Sequence, residues 1–259
     1  MTADAQARTQ GPLGIIAAIP EEMAHLRGDE ADAVEIAGQR FERTRVEGRD
    51  AVLVETGIGK VNAAVTATLL AREFGCRALV FSGVAGGLDP DLGVGDVVVA
   101  DRVVQHDYGA VVDGALRPYQ PGNIPLPGFD PTHGYDVPTA LRQTLHRALD
   151  GVSLPEVPAQ ATGDAPRVPR LVFGTVLTGD AFVNCEATRR RLHGGFAAQA
   201  VEMEGGAVAQ VAERFGIPWV VVRCLSDLAG ATSHMDFGAF LPVAAGNAAT
   251  VVRRIVRAL

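Results

Sequence analysis

Residues 201–227 read VEMEGGAVAQVAERFGIPWVVVRCLSD, and the order of patterns within them decides the fold class. Val208, Val211, Ala212 and Phe215 fall on one helical face, and Gly216 and Pro218 then end the helix. WVVVRCL at 219–225 is a short Val-rich run of the kind a buried strand needs. Working outward, similar runs stand at LGIIAAI 13–19, AVLVET 51–56, ALVFSG 78–83, DVVVA 96–100 and LVFGTVLT 171–178. Between them residues 60–74 have helical periodicity and stop at Gly75, and DFGAFLPVAAGNAATVVRRIVRAL supplies a final helix. Strand and helix alternate, which predicts an α/β three-layer sandwich with a central, mostly parallel or mixed sheet flanked by helices.

Residues 13–259 read as one domain, preceded by a loose polar tail at 1–12. A Pro-rich insertion near 109–170 breaks the rhythm. Residues 109–135 and 151–170 read as loops, and loops of that length in a compact domain suit a lid, a binding wall or a subunit contact. The formal charge of −7, with Arg dispersed among acids, offers no footprint for nucleic acid or an anionic membrane. No apolar stretch is long enough to span a bilayer. Three cysteines without metal-ligand spacing point to neither a disulfide framework nor a zinc site, and suggest a reducing, cytoplasmic setting.

Ligands of open α/β sheets collect at the carboxyl ends of strands. Five segments stand there: Pro20-Glu21-Glu22, Gly57-Ile58-Gly59-Lys60, Gly83-Val84-Ala85-Gly86-Gly87, Gly179-Asp180-Ala181-Phe182 and Ser226-Asp227. Taken singly, the glycines are ordinary turns and the acids ordinary helix starts. Neither a dinucleotide fingerprint nor a Walker loop is complete, so no cofactor is expected, and no His/Asp/Glu spacing argues for a metal.

The segments GIIAAIPEEMAHL, TGIGKVNAA, SGVAGGL, VGDVVVAD, TGDAFVN, VEMEGGAVA and VRCLSD resemble, in order, the signatures of the methylthioadenosine/adenosylhomocysteine nucleosidases of the nucleoside phosphorylase superfamily. The similarity covers about residues 13–108 and 171–259. It implies hydrolysis of the purine–ribose bond of a 5′-modified adenosine, a role such as methionine salvage, and a homodimer in which a loop of one subunit closes the other's site. Such chemistry needs an acid for the departing base and an activated water for the oxocarbenium-like sugar.

By motif position, Glu22 matches the general base; sequence alone does not separate it from Glu21. Asp227 matches the acid that protonates N7 of adenine, and Glu204 the carboxylate that accepts from the ribose hydroxyls, kept ionised by the start of its helix. Phe182 matches the ring stacked on adenine, against the plain alternative of core packing, and Val183 the reader of the base edge. Met203 matches an apolar floor, Ile58, Ala85 and Gly86 wall positions, Phe237 a neighbour of the sugar, and Arg223 and Ser226 neighbours of the water and of the catalytic aspartate. Glu202 reads as a helix-start acid, and His106, His133 and His234 as structural or surface residues.

Three departures from the family stand out. Val84 occupies a position where Ser is common, Gly205-Gly206 follow VEME, and the chain after His106-Asp107 diverges. Two rival readings remain, a purine nucleoside phosphorylase and a non-catalytic nucleoside-binding relative. Phe81 and Val84 lie where phosphorylases resemble one another in carrying Arg and Ser, and the three retained acids argue for turnover.

Overall fold

The computed structural model describes residues 10–28, 32–126, 133–159, 166–230 and 233–259, with the side chains of 233–239 left aside. Strands β1 (Leu13–Ala17), β4 (Arg49–Glu55), β5 (Ala78–Gly87), β6 (Val97–Gln105), β10 (Leu171–Thr178) and β12 (Trp219–Asp227) correspond to the six Val/Ile-rich runs. Helices α2 (Lys60–Arg72), α5 (Gly205–Phe215) and α6 (Ser233–Ala258) fill the intervals expected to be helical. β5 and β12 are buried almost throughout, as strands covered on both faces must be. Each fully buried Val or Leu in them contributes about 1.5–3 kcal/mol.

The sheet runs β11-β10-β6-β12-β5-β1-β4-β3-β2, where β2 is Asp32–Ile36, β3 Gln39–Val46 and β11 Ala200–Glu202. Pairings at the centre are parallel except β12 with β6, and β2, β3 and β4 form an antiparallel edge. β11 also pairs back to β5, Ala200 with Gly87 and Val201 with Gly86, so β5, β12, β6, β10 and β11 form a closed circuit. The closure brings VEME to the carboxyl ends of β5 and β12.

α6 covers β5 and β12 with Ala244, Ala248, Val251, Val252 and Ile255, a helical stripe without large side chains near its middle. α5 ends at Gly216, whose φ of +64° forms a left-handed cap, and Pro218 prevents continuation.

Two expectations change. The 109–135 stretch is not all loop: β7 (Gly109–Val112) and β8 (Ala115–Pro118) form a hairpin, and β9 (Tyr135–Asp136) adds to β6. Pro118 ends its strand, where a missing N–H costs little, so a Pro-rich composition concealed the hairpin. Helix α3 (Thr139–Leu149) follows, and a bridge between Val157 and Arg167 spans much of the second Pro-rich stretch. Gly83–Gly87, expected to follow a strand, forms the second half of β5. Residues 1–9 of the expected tail lie outside the described residues.

Candidate active site

α1 (Pro20–Ala24) begins just after β1, and Glu22 is its third residue. The side chain folds back so that Oε2 accepts from the N–H of Ala18 at 2.8 Å and of Ile19 at 3.3 Å. Oε1 accepts from the N–H of Val84 in β5 at 2.9 Å. One carboxylate thus ties α1 to the turn that leaves β1 and to β5. Glu21 is exposed, so the fold separates a pair that the sequence leaves equivalent. Burial pushes the Glu22 carboxyl above its ordinary range, and the Arg223 guanidinium and the three N–H groups pull it partly back. A carboxylate has about four acceptor positions, so roughly one remains for a ligand.

Beneath Glu22 lies Arg223, fully buried in β12 with its guanidinium 4.0 Å above the Phe81 ring. It pairs with Glu202 and stands 3.5 Å from Glu204. A Cβ at Gly83 would lie 2.1 Å from Arg223 Nη1 and 2.8 Å from Glu22 Oε1, so only glycine admits both side chains here. Glu202 is indeed a helix-start acid, accepting from the N–H of Glu204 at 3.1 Å and of Gly205 at 2.7 Å. It is also the partner of the buried guanidinium and an acceptor for the Thr178 hydroxyl. Sequence reasoning missed this second role, because the partners sit 21 and 24 positions away with no periodic relation.

Glu204 precedes the first turn of α5 and accepts from the Gly59 N–H at 2.9 Å. The expectation that the helix start keeps it ionised is outweighed by its surroundings. Burial and then the charge of Glu202 push its carboxyl up to about 7, against the opposing pull of Arg223 and the Gly59 N–H. Asp227 ends β12, with Oδ1 accepting from the Ala229 N–H at 2.8 Å and Oδ2 from the Ser226 hydroxyl at 3.0 Å.

Glu22, Glu204 and Asp227 line one open-mouthed cavity together with Ile58, Ala85, Gly86, Phe182, Val183, Met203 and Ser226. Phe182 is 51% exposed at the mouth, so it is not a core ring. Arg223 supports the floor from below and is not part of the lining. The Phe237 side chain lies outside those described. Ala18, Ile19, Val84, Ala181, Val201 and Glu202 complete the lining. Val84, Ala181 and Glu202 adjoin anticipated residues, and that adjacency was the available signal; Ala18, Ile19 and Val201 lie two to four positions away.

A family model described as the phosphorylase superfamily matches residues 12–257. The chain is 50% identical over 251 residues to the 5′-methylthioadenosine/S-adenosylhomocysteine nucleosidase of Mycobacterium tuberculosis, covering 95% of this chain and 97% of that one. The chain belongs to this nucleosidase family. Among solved structures, the Helicobacter pylori 5′-methylthioadenosine/S-adenosylhomocysteine nucleosidase, complexed with a pyrrolidine inhibitor, superposes with a TM-score of 0.80 at 28% identity, covering 96% of this chain and 99% of that one. The futalosine hydrolase of the same organism also scores 0.80 at 28% identity, covering 97% and 99%.

Against the family background, Val84 deserves a physical reading. Its link to Glu22 is through the main-chain N–H, which any residue but proline supplies. Replacing a serine hydroxyl with an isopropyl group therefore leaves Glu22 its partner and makes that side of the cavity apolar.

Proposed function

We propose that the protein hydrolyses the N-glycosidic bond of a 5′-modified adenosine such as 5′-methylthioadenosine or S-adenosylhomocysteine, releasing adenine and a free 5-substituted ribose. The observation that carries this reading is the charge balance under the cavity. A single guanidinium, Arg223, is paired with Glu202 and lies close to Glu204, and its charge also acts on Glu22. Among the described residues, three carboxylates around one cation leave no unpaired cation under the cavity for a phosphate dianion, which in a low-dielectric cleft would be repelled. A neutral water is tolerated there.

In this mechanism Glu22 accepts a proton from water and directs it at the anomeric carbon, and burial raises its basicity for that task. Glu204 accepts from the ribose hydroxyls, and in its ionised form stabilises the developing positive charge of the sugar. Asp227, steadied by Ser226 and the Ala229 N–H, delivers a proton to N7 of the departing adenine. Phe182 stacks on the base and Met203 lies beneath the sugar. The nucleosidase relatives support the reaction itself.

The experiment is adenine release in phosphate-free buffer from methylthioadenosine, adenosylhomocysteine and aminodeoxyfutalosine. Full turnover with a reducing sugar as co-product is expected. Accumulation of a sugar 1-phosphate, with a rate that saturates in added phosphate, replaces the hydrolase by a phosphorylase.

We also infer a homodimer. Ile58, Val61, Val65 and Phe182 are exposed apolar side chains on the cavity mouth and the adjoining face of α2, at 54%, 75%, 44% and 51%. Such grouping favours a protein contact. Light scattering showing a fully active monomer at micromolar concentration sinks this idea. The unpaired cysteines, Cys185 exposed among them, suit a reducing cytoplasmic compartment, where methionine salvage would use this reaction.

A further inference from the structure

Three rim segments, each following a different strand, meet at one ammonium group. Lys60 Nζ lies 2.5 Å from Asp107 Oδ1 and 3.6 Å from Asp180 Oδ2. The main chain closes the triangle, since the Lys60 N–H donates to Asp180 Oδ1 at 2.9 Å and the Asp180 N–H donates to Asp107 Oδ2 at 2.8 Å. Lys60 opens α2 after β4, Asp107 follows β6, and Asp180 follows β10. An isolated surface ion pair contributes little. This one has its lysine only 17% exposed and joins segments 47 and 73 residues apart.

Both flanks of the triangle reach the cavity. Gly59, next to Lys60, gives its N–H to Glu204, and Phe182 stands two residues beyond Asp180. The loop carrying Ile58 has φ of +79° at Gly57 and +103° at Gly59. Glycines have little intrinsic preference for one conformation, so contacts must select this one.

We propose that Lys60 is a positioning residue: through Asp107 and Asp180 it holds the Gly59 N–H against Glu204 and the Phe182 loop opposite, keeping the ribose side and the base side of the cleft in register. The proposal rests on Glu204 and Phe182 contacting substrate. The charged groups acting on Glu204 are Glu202 from β11, Arg223 from β12 and Glu22 from α1, and the α2 loop adds the Gly59 N–H. Of these four, Lys60 governs the last through its neighbour. Withdrawing that N–H favours the protonated carboxyl, so the acid limb of kcat/KM moves to higher pH.

The test compares intact wild-type protein with Lys60→Met, Lys60→Arg and Asp107→Asn, measuring kcat, KM, the pH profile of kcat/KM and the melting temperature. Lys60→Met is expected to raise KM about tenfold, as losing a charged hydrogen bond should. It should change kcat by less than about threefold and shift the acid limb upward. Lys60→Arg should restore much of both. A lower melting temperature with wild-type KM and acid limb shows a merely structural role and overturns the proposal. If Lys60→Met does not fold, Asp107→Asn, which keeps the shape and removes one charge, decides on the same criteria. If wild type releases no adenine, the functional reading fails on its own, and calorimetric binding of methylthioadenosine then judges Lys60. About tenfold weaker binding in the variant supports the role, and equal binding overturns it.

Discussion

The carboxyl ends of β5 and β12 are paired with neighbouring strands, whereas among the described residues the hairpin β7–β8, between β6 and β9, pairs only with itself. In the first region Gly83, Val84 and Ala85 sit in register with Arg223, Cys224 and Leu225, and Glu22 and Asp227 each accept main-chain N–H groups. In the second, Val111 is 75% exposed. The neighbouring segment is tied at points such as Tyr108 to the carbonyl of Asn123 and the N–H of Gly134 to Gln120. Groups that move protons must be placed to within a fraction of an ångström, which a saturated sheet end provides. The hairpin contributes no residue to the described lining of the cavity, so this surface segment can change in sequence without disturbing the core.

If this division is right, changes at the sheet ends cripple turnover. Glu22→Gln keeps the shape and loses the base, so kcat should fall by about 10²–10⁴-fold with substrate binding largely retained. Glu21→Gln, on an exposed side chain, should leave kcat unchanged; steady-state kinetics on the pair decides. Asp227→Asn should slow adenine release by about 10²-fold. It should slow a nitrophenyl riboside far less, since that leaving group needs little protonation. Equal losses on both substrates would show that Asp227 acts through structure or binding. At the rim, Phe182→Ala should weaken nucleoside binding by about 1–3 kcal/mol, the value of a base on an aromatic ring, as calorimetry can measure.

The rigid region should also carry a stability cost. The Glu204 carboxyl, at about 7 in the fold, lies above its ordinary value of 4.5. Between those values the folded chain holds a proton that the unfolded chain has lost, so stability falls as pH rises through this window. Glu204→Gln should flatten that decline and raise the melting temperature of the empty protein by several degrees on the alkaline side. An unchanged slope would show that Glu204 is ionised throughout. The smallest effect belongs to the hairpin. Val111→Ser should alter stability by no more than about 0.5 kcal/mol, as exposed sites do, and leave kcat unchanged. A large loss of kcat there would abolish the contrast between the two regions.

The helical face of 205–215 and the Val-rich runs were legible because burial imposes a period that local sequence must obey. Strands β2 and β3 were not. Their QRFERTRV and DAVEI segments alternate with many charged residues, as an antiparallel edge with one wet face permits. The hairpin within 109–118 was hidden by the proline-rich stretch it opens, whose Pro118 stands at a strand end, where it costs little. Among site residues, Glu22, Glu204 and Asp227 were found by motif order, and the cavity gathers all three. The part of Glu202 in the site is not legible, because an acid before a helix already has an ordinary explanation.

The sequence by itself determined the alternation of strands and helices, the ends at which acids and glycines accumulate, and the family to which the chain belongs. These are local properties, expressed in burial periodicity and in short contiguous motifs. Tertiary structure alone decided that Glu22 is buried while Glu21 is not, that Glu202 neutralises Arg223, and that β11 turns back onto β5. It also decided that Lys60 joins Asp107 to Asp180. Each of these depends on charges or strand edges brought together from distant positions, and the free energy of such a meeting comes from shared burial and hydrogen bonding that no single segment possesses.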